Sequence, residues 1–245
     1  MFEAAKEKEM NRMLGTIVNV MTVVAGSCIG LFLKKGIRED IADMMLKGLA
    51  LCSMFIGITS ALEGQNVLIT IISIVLGVII GGMLDLDGKL NGFAQGLENK
   101  FKTEGEKVSI AEGFITASLV FCVGAMTIVG SLQSGLTGDH TMLFTKATLD
   151  FVSSMVYASS LGIGVLFSAV FVFVFQGSIT MLAQWLAPLL TDAVIAEMTC
   201  AGGLLIFGLG LNMIGLTKLK LMNYLPAIFL PMAIVPIAGW LGTLF

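Results

Sequence analysis

Long apolar runs separated by short polar loops set the pattern of this chain. Residues 14–33, 41–62, 67–84, 113–132, 142–158, 161–185 and 193–216 are each long enough for a bilayer-crossing helix, which takes about 20 residues. An eighth run follows Lys220 and carries Pro226, Pro231 and Pro236, so backbone donors are missing there and the helix is kinked or broken. The apolar stretch from Met142 to Pro188 is too long for one helix, and Ser159-Ser160-Leu161-Gly162 is the place to fold it. The pattern predicts an all-α integral membrane protein of about eight transmembrane helices, at least one of them broken.

One long polar segment interrupts the runs, at 85–112. Within it Leu86, Leu90, Phe93, Leu97 and Phe101 recur at helical steps and leave one apolar stripe. Such a helix lies along a membrane surface or covers a bundle. Ser109 followed three residues later by Glu112 reads as a capping box that opens the next span.

The second and seventh runs resemble each other. IADMMLKGLALCSMFIGITSAL from Ile41 and IAEMTCAGGLLIFGLGLNMIGL from Ile195 align without gaps, with Asp43 opposite Glu197. They would cross in opposite directions, which is the arrangement of inverted repeats in secondary transporters. The alternative is that glycine-rich apolar helices simply look alike. The expected organisation is a single membrane domain, 1–245. It comprises a first three-helix repeat (14–84), a cytoplasmic amphipathic segment (85–112), glycine-rich core spans (113–160) and a second three-helix repeat (161–245).

Composition agrees with this picture and narrows it. Hydrophobic residues make up 56% of the chain and charged residues 13%, against about 25% charged in a soluble domain. A net charge of −3 gives no reason to expect a nucleic-acid partner. Cys28, Cys52, Cys122 and Cys200 lie in apolar runs without CxxC spacing and read as buried free thiols. A single histidine, His140, leaves no basis for a histidine-based metal centre; it reads as a surface residue, and Asp139 as a cap on the next helix. Numbering the loops alternately puts Lys34, Lys35, Arg38, Lys89, Lys100, Lys102, Lys107, Lys218 and Lys220 on one side, and Lys6, Lys8, Arg12 and Lys146 on the other. The positive-inside rule makes the first side cytoplasmic and both termini external. No cleavage site follows the first run, and Met13 is an alternative start to Met1.

Polar chemistry concentrates between Phe121 and Gly162. Asp150 falls near the middle of the fifth span, where an acid is expensive and usually lines a pathway. Lys146 lies one helical turn earlier on the same face. Two readings stand: a structural salt bridge, or a cation or proton site at Asp150 with Lys146 adjusting it. Gly124, Gly130, Gly135 and Gly138 either let helices touch or permit a break whose freed backbone groups bind a ligand. Thr127, Ser131 and Gln133 would then supply side-chain ligands. Asn19 and Asn212 are isolated amides within spans, read as interhelical glue or as ligands. No metal ligand set, cofactor motif or catalytic constellation is evident, so neither a cofactor nor an enzyme is expected.

Together the opening GTIVNV (15–20), the block CVGAMTIVGSLQSGLTGD (122–139), KATLD (146–150) and SLGIGV (160–165) resemble the DUF554 family of uncharacterised prokaryotic multi-spanning membrane proteins. The resemblance extends from Met13 onward. It implies a bacterial cytoplasmic membrane location and says little about activity. The reading that fits these residues is an ion-coupled secondary transporter of a small solute or cation, in contact with lipid. A channel, a non-transporting scaffold subunit and a homo-oligomer are open alternatives.

Overall fold

The computed structural model describes residues 2–34, 39–92 and 109–242. Among these residues every regular element is helical: α1 (Phe2–Lys34), α2 (Glu39–Ala61), α3 (Val67–Met83), α5 (Ile110–Cys122), α6 (Ala125–Thr137), α7 (Thr141–Leu161), α8 (Gly164–Met181), α9 (Ala183–Leu186), α10 (Asp192–Met213), a 3₁₀ segment (Leu221–Ile228) and α11 (Pro231–Gly242). A short helix, α4 (Leu86–Gly92), follows α3 at a 50° bend. The amphipathic stripe is therefore seen only at Leu86 and Leu90; Phe93, Leu97 and Phe101 lie outside the described residues, as do Lys35, Arg38, Lys100, Lys102 and Lys107.

Several helices are amphipathic in the sense opposite to that of a soluble protein. On α3 the buried positions are Ile69, Thr70, Ser73, Gly77 and Gly81, a narrow, mostly small stripe at helical spacing. The outward face carries Val67, Leu68, Ile71, Ile72, Val75 and Ile79, all exposed. Small residues inside and large apolar residues outside suit a helix whose solvent is lipid. Four helical stretches are long and apolar enough to cross a membrane: Arg12–Lys34, Asp43–Ala61, Gly164–Met181 and Asp192–Met213. The count reaches seven when each of three bent pairs is taken as one span. Cys28 and Cys52 sit on the exposed surface of their helices, contrary to the expectation that all four thiols are buried; Cys122 and Cys200 are buried, and all four are free.

The chain divides into two compact units, each made from separate stretches. The first comprises 1–45 and 97–188. In it α1 and α7 run parallel in close contact. Gly15 lies at His140 and Leu143, Gly26 at the Phe151 carbonyl, and Gly30 at the Met155 carbonyl. None of the three glycines has room for a Cβ. α8 runs antiparallel to α1, with Thr16 beside Thr180 and Asn19 beside Gln176.

The glycine-rich fourth run is broken, one of the two readings its glycines left open. Val123 is extended, Gly124 has φ of 133°, and the axis turns by 61° between the α5 and α6 halves. A side chain at Gly124 would be strained at that φ. The two halves together follow the length of α7 in the opposite direction. Gly113 near the start of α5 faces Leu161 at the end of α7, Phe121 packs edge-on against Tyr157, and Gly130 on α6 backs onto Leu143 near the start of α7. Gly135 then reaches the Thr180 carbonyl at the end of α8. Thr127 Oγ1 donates across the break to the Phe121 carbonyl at 3.1 Å, satisfying one of the groups the break frees. At the other fold point, Gly162 ends α7 with φ of 81°, directly after Ser159-Ser160-Leu161.

The second unit comprises 46–96 and 189–245. α2 and α10 cross antiparallel through reciprocal glycines. A Cβ on Gly57 would lie 2.7 Å from the Gly203 carbonyl oxygen, and one on Gly203 would lie 2.7 Å from that of Gly57. Pro226 falls inside the 3₁₀ segment, Pro231 opens α11, and the pair bends by 42°. Gly77 and Gly81 of α3 press on Ala227 and Asn223 of that segment.

Candidate functional site

Three helices of the first unit bring together a chain of buried polar side chains. Asp150 lies in the interior of α7 and is 6% exposed, as is Lys146. Lys146 Nζ donates to Asp150 Oδ2 at 2.5 Å from one turn earlier. Asn19 on α1 donates through Nδ2 to the same Oδ2 at 3.0 Å and to Gln176 Oε1 on α8 at 2.8 Å. An ionised carboxylate only accepts, so the Asn19 NH₂ must face it. Its second hydrogen then falls to Gln176. The result is a continuous path from α7 through α1 to α8, with Asn19 and Gln176 fully enclosed. One further turn toward the α1 amino terminus, Thr16 and Thr180 share a hydrogen bond of 3.3 Å.

Such a pair is not a simple gain in stability. Desolvating both charges offsets much of their attraction, and removing one partner leaves the other stranded. Local sequence accounts for the geometry. Lys146 and Asp150 share a helix face by spacing, and the glycines of α1 let α7 approach near enough for Asn19 to reach the carboxylate. Within this group of side chains two polar atoms stay without a hydrogen-bond partner among the described residues, Asn19 Oδ1 and Gln176 Nε2.

The break in the fourth run lies close to this pair. Phe121, just before it, packs on Tyr157 and Gly130, beyond it, packs on Leu143, so the break faces the part of α7 that carries Lys146 and Asp150. Ser131, two turns into α6, is fully buried and its hydroxyl lacks a partner among the described residues.

Of the residues singled out by sequence, Asn19, Lys146 and Asp150 meet directly. Gly124 forms the break and Thr127 bridges it. Gly130 serves close packing: a Cβ there would lie 2.9 Å from Leu143 Cδ2. Asn212 belongs elsewhere. Near the end of α10 in the second unit, its Oδ1 accepts from Thr217 Oγ1 and the Leu219 amide, and its Nδ2 donates to the Leu219 carbonyl. It fastens the following loop.

His140 is also a correction. It is buried, not on the surface, because the chain turns at Gly138 (φ of 74°) and lays the ring against the end of α6. Asp139 remains exposed and caps as expected, its Oδ1 accepting from the Thr141 amide at 3.0 Å. That amide, then the Thr141 side chain, holds the Asp139 carboxyl below its usual pKa, and His140 adds to the effect. Gln176 and the Thr16–Thr180 pair were missed; the available signal was a lone amide inside the run FVFVFQGSIT.

In the second unit Glu197 on α10 is 2% exposed. Its Oε1 accepts from the amides of Gln65 and Asn66, each at 2.7 Å, and its Oε2 accepts from Thr70 Oγ1 at 3.0 Å. The dipole it meets is therefore that of α3, whose N-cap is Asn66.

Fold and site together define an all-α membrane protein with an ion pair buried among its helices. The chain belongs to the DUF554 family, described as a protein of unknown function, whose model matches residues 14–236. It is similar to the uncharacterized membrane protein YdfK of Bacillus subtilis (strain 168), 33% identical over 237 residues that cover 95% of this chain and 100% of that protein. It is also similar to the uncharacterized protein YqgA of Escherichia coli (strain K12), 29% identical over 230 residues covering 93% of this chain and 97% of the relative. No solved structure matches the chain.

Proposed function

We propose that the chain is a secondary, ion-coupled transporter of a small solute or cation, with Asp150 as its coupling or cation-binding carboxylate. The observation that carries this reading is the Asp150 carboxylate itself, enclosed on α7 and held by Lys146 of the same helix and Asn19 of α1. A broken crossing lies beside it, and discontinuous helices at such sites expose backbone groups to substrate. Intramembrane acids are retained where ions or protons pass. Lys146 then acts as a resident cation that yields the carboxylate during the cycle. Basic side chains are sparse in the spans, which favours a cation or a neutral solute over a strongly anionic one.

α7 is the eighth crossing of this proposal. Its 21 residues extend for about 31 Å, enough for the hydrocarbon core. Helix directions support the count: α1 with α7 parallel, α1 with α8, α2 with α10, and α3 with the 3₁₀ segment antiparallel. Eight alternating crossings require these four relationships. The inverted repeat of 41–62 and 195–216 belongs to the same proposal, since its two helices, α2 and α10, would then cross in opposite directions. Both termini face outward from a bacterial cytoplasmic membrane in this scheme.

The test starts from purified protein screened by thermal shift against alkali and ammonium cations and small neutral metabolites. Hits are then measured as uptake into proteoliposomes. Saturable uptake that disappears in Asp150→Asn, with the variant still inserted and folded, is the expected result. Uptake that persists in the variant, or non-saturating single-channel conductance, overturns the proposal.

A further inference from the structure

His140 is the chain's single histidine, and its hydrogen bonds fix which ring nitrogen carries the proton. Ser134 Oγ on α6 lies 2.7 Å from the Arg12 carbonyl oxygen of α1 and 2.8 Å from His140 Nδ1. A carbonyl cannot donate, so the one hydroxyl hydrogen of Ser134 goes to Arg12. Ser134 Oγ must then accept from His140, and Nδ1 carries the hydrogen. In the neutral ring the bare lone pair is on Nε2. That atom is buried and has no hydrogen-bond partner among the described residues.

We infer that His140 Nε2 is a proton-binding site that places the contact of α7 with α1 and α6 under pH control. This inference stands apart from the transport proposal. Proton uptake leaves the Nδ1–H bond to Ser134 in place and turns the ring into a cation. The Phe144 ring, 5.7 Å away between centroids, suits such a cation. So does the Asp139 carboxylate, close enough for the two charges to interact.

Against these stands the position of the ring at the amino terminus of α7, where the helix dipole is positive. Lys146 follows six residues later on α7, about 9 Å along the axis. Arg12 of α1 meets the ring only through its backbone carbonyl, by way of the Ser134 hydroxyl. α6 offers no ionisable side chain. A proton on Nε2 therefore adds positive charge where α1, α6 and α7 converge, and loosens their contact. Histidine is the side chain whose ordinary titration falls in the physiological range.

With one histidine, the test is spectroscopically simple. Protein labelled with ¹⁵N-histidine is reconstituted in nanodiscs, and long-range ¹H–¹⁵N spectra are recorded between about pH 8 and pH 5. The neutral ring is expected as the Nδ1–H tautomer, converting to the doubly protonated form on acidification. Ser134→Ala should return it to the Nε2–H tautomer; the wild-type spectrum alone decides the assignment if that variant does not fold. An Nε2–H ring in the wild type, or a ring that takes up no proton in this range, overturns the inference. For the coupling, amide exchange over 134–144, corrected for its intrinsic pH dependence, should rise on acidification in the wild type and not in His140→Gln. Equal behaviour of the two proteins removes the pH control.

Discussion

Asn19 and Gln176 face each other across the α1–α8 seam, joined by a 2.8 Å hydrogen bond between fully buried amides. Asn19 spends its other amide hydrogen on Asp150, so a single side chain of α1 ties together α7 and α8. The charge it touches is already countered by Lys146. How these helices hold together therefore depends on whether that carboxylate keeps its partners.

Removing the cation alone should be the most damaging change. Lys146→Met strands the Asp150 charge and is expected to destabilise the protein by about 3–5 kcal/mol. The double variant Lys146→Met/Asp150→Leu should recover much of that loss, because no charge remains buried. Thermal unfolding in detergent orders the three proteins. A double variant no more stable than Lys146→Met would show that the pair does not act as a unit.

Gly30 on α1 lies against the Met155 carbonyl with no space for a methyl group. Gly30→Leu should therefore force α1 away from α7 and destabilise the first unit by about 1–3 kcal/mol or more. Gly48 on α2, with nothing near a Cβ built upon it, is the control. Gly48→Ala should be neutral or mildly stabilising, since alanine is the better helix former. If both substitutions leave the unfolding temperature unchanged, the close α1–α7 approach is not a source of stability.

Glu197 fastens the loop ahead of α3 through the amides of Gln65 and Asn66. Glu197→Ala leaves these donors, on exposed residues, without their acceptor, at a cost of about 1 kcal/mol for each hydrogen bond lost. Amide hydrogen exchange at Gln65 and Asn66 should quicken markedly in the variant, while Asp150 and its partners remain in place. Unchanged exchange at those two amides would mean that water or backbone replaces the carboxylate at no penalty.

Much of the helix layout was legible because it rests on local chemistry. Ser109, read as opening a span, caps α5 by accepting from the Glu112 amide. Gly162 ends α7 at the fold point read from Ser159-Ser160-Leu161-Gly162. Asp150, Lys146 and Asn19 stood out because polar residues are rare in apolar runs.

What depended on helix rotation was hidden. Gln176 looked like one more residue of an apolar run until α8 turned it onto Asn19. His140 followed a Gly-Asp turn, which reads as surface, yet the turn folds its ring beneath α1 and against Ser134. Asn212 misled in the other direction: an amide in a hydrophobic run has the same sequence signature whether it binds a ligand or holds its own loop.

The first unit is assembled from residues 1–45 and 97–188, with most of α2 and all of α3 and α4 made in between. During synthesis α1 enters the membrane first, carrying a polar Asn19 whose partners do not yet exist. Its carboxylate partner is made 131 positions later and its amide partner 157 positions later. Until α8 has been inserted, α1 must wait in lipid or in the care of the insertion machinery. A chain that stops after α6 would hold an unsatisfied amide in the bilayer, the kind of exposed flaw by which a membrane protease can recognise an unfinished product.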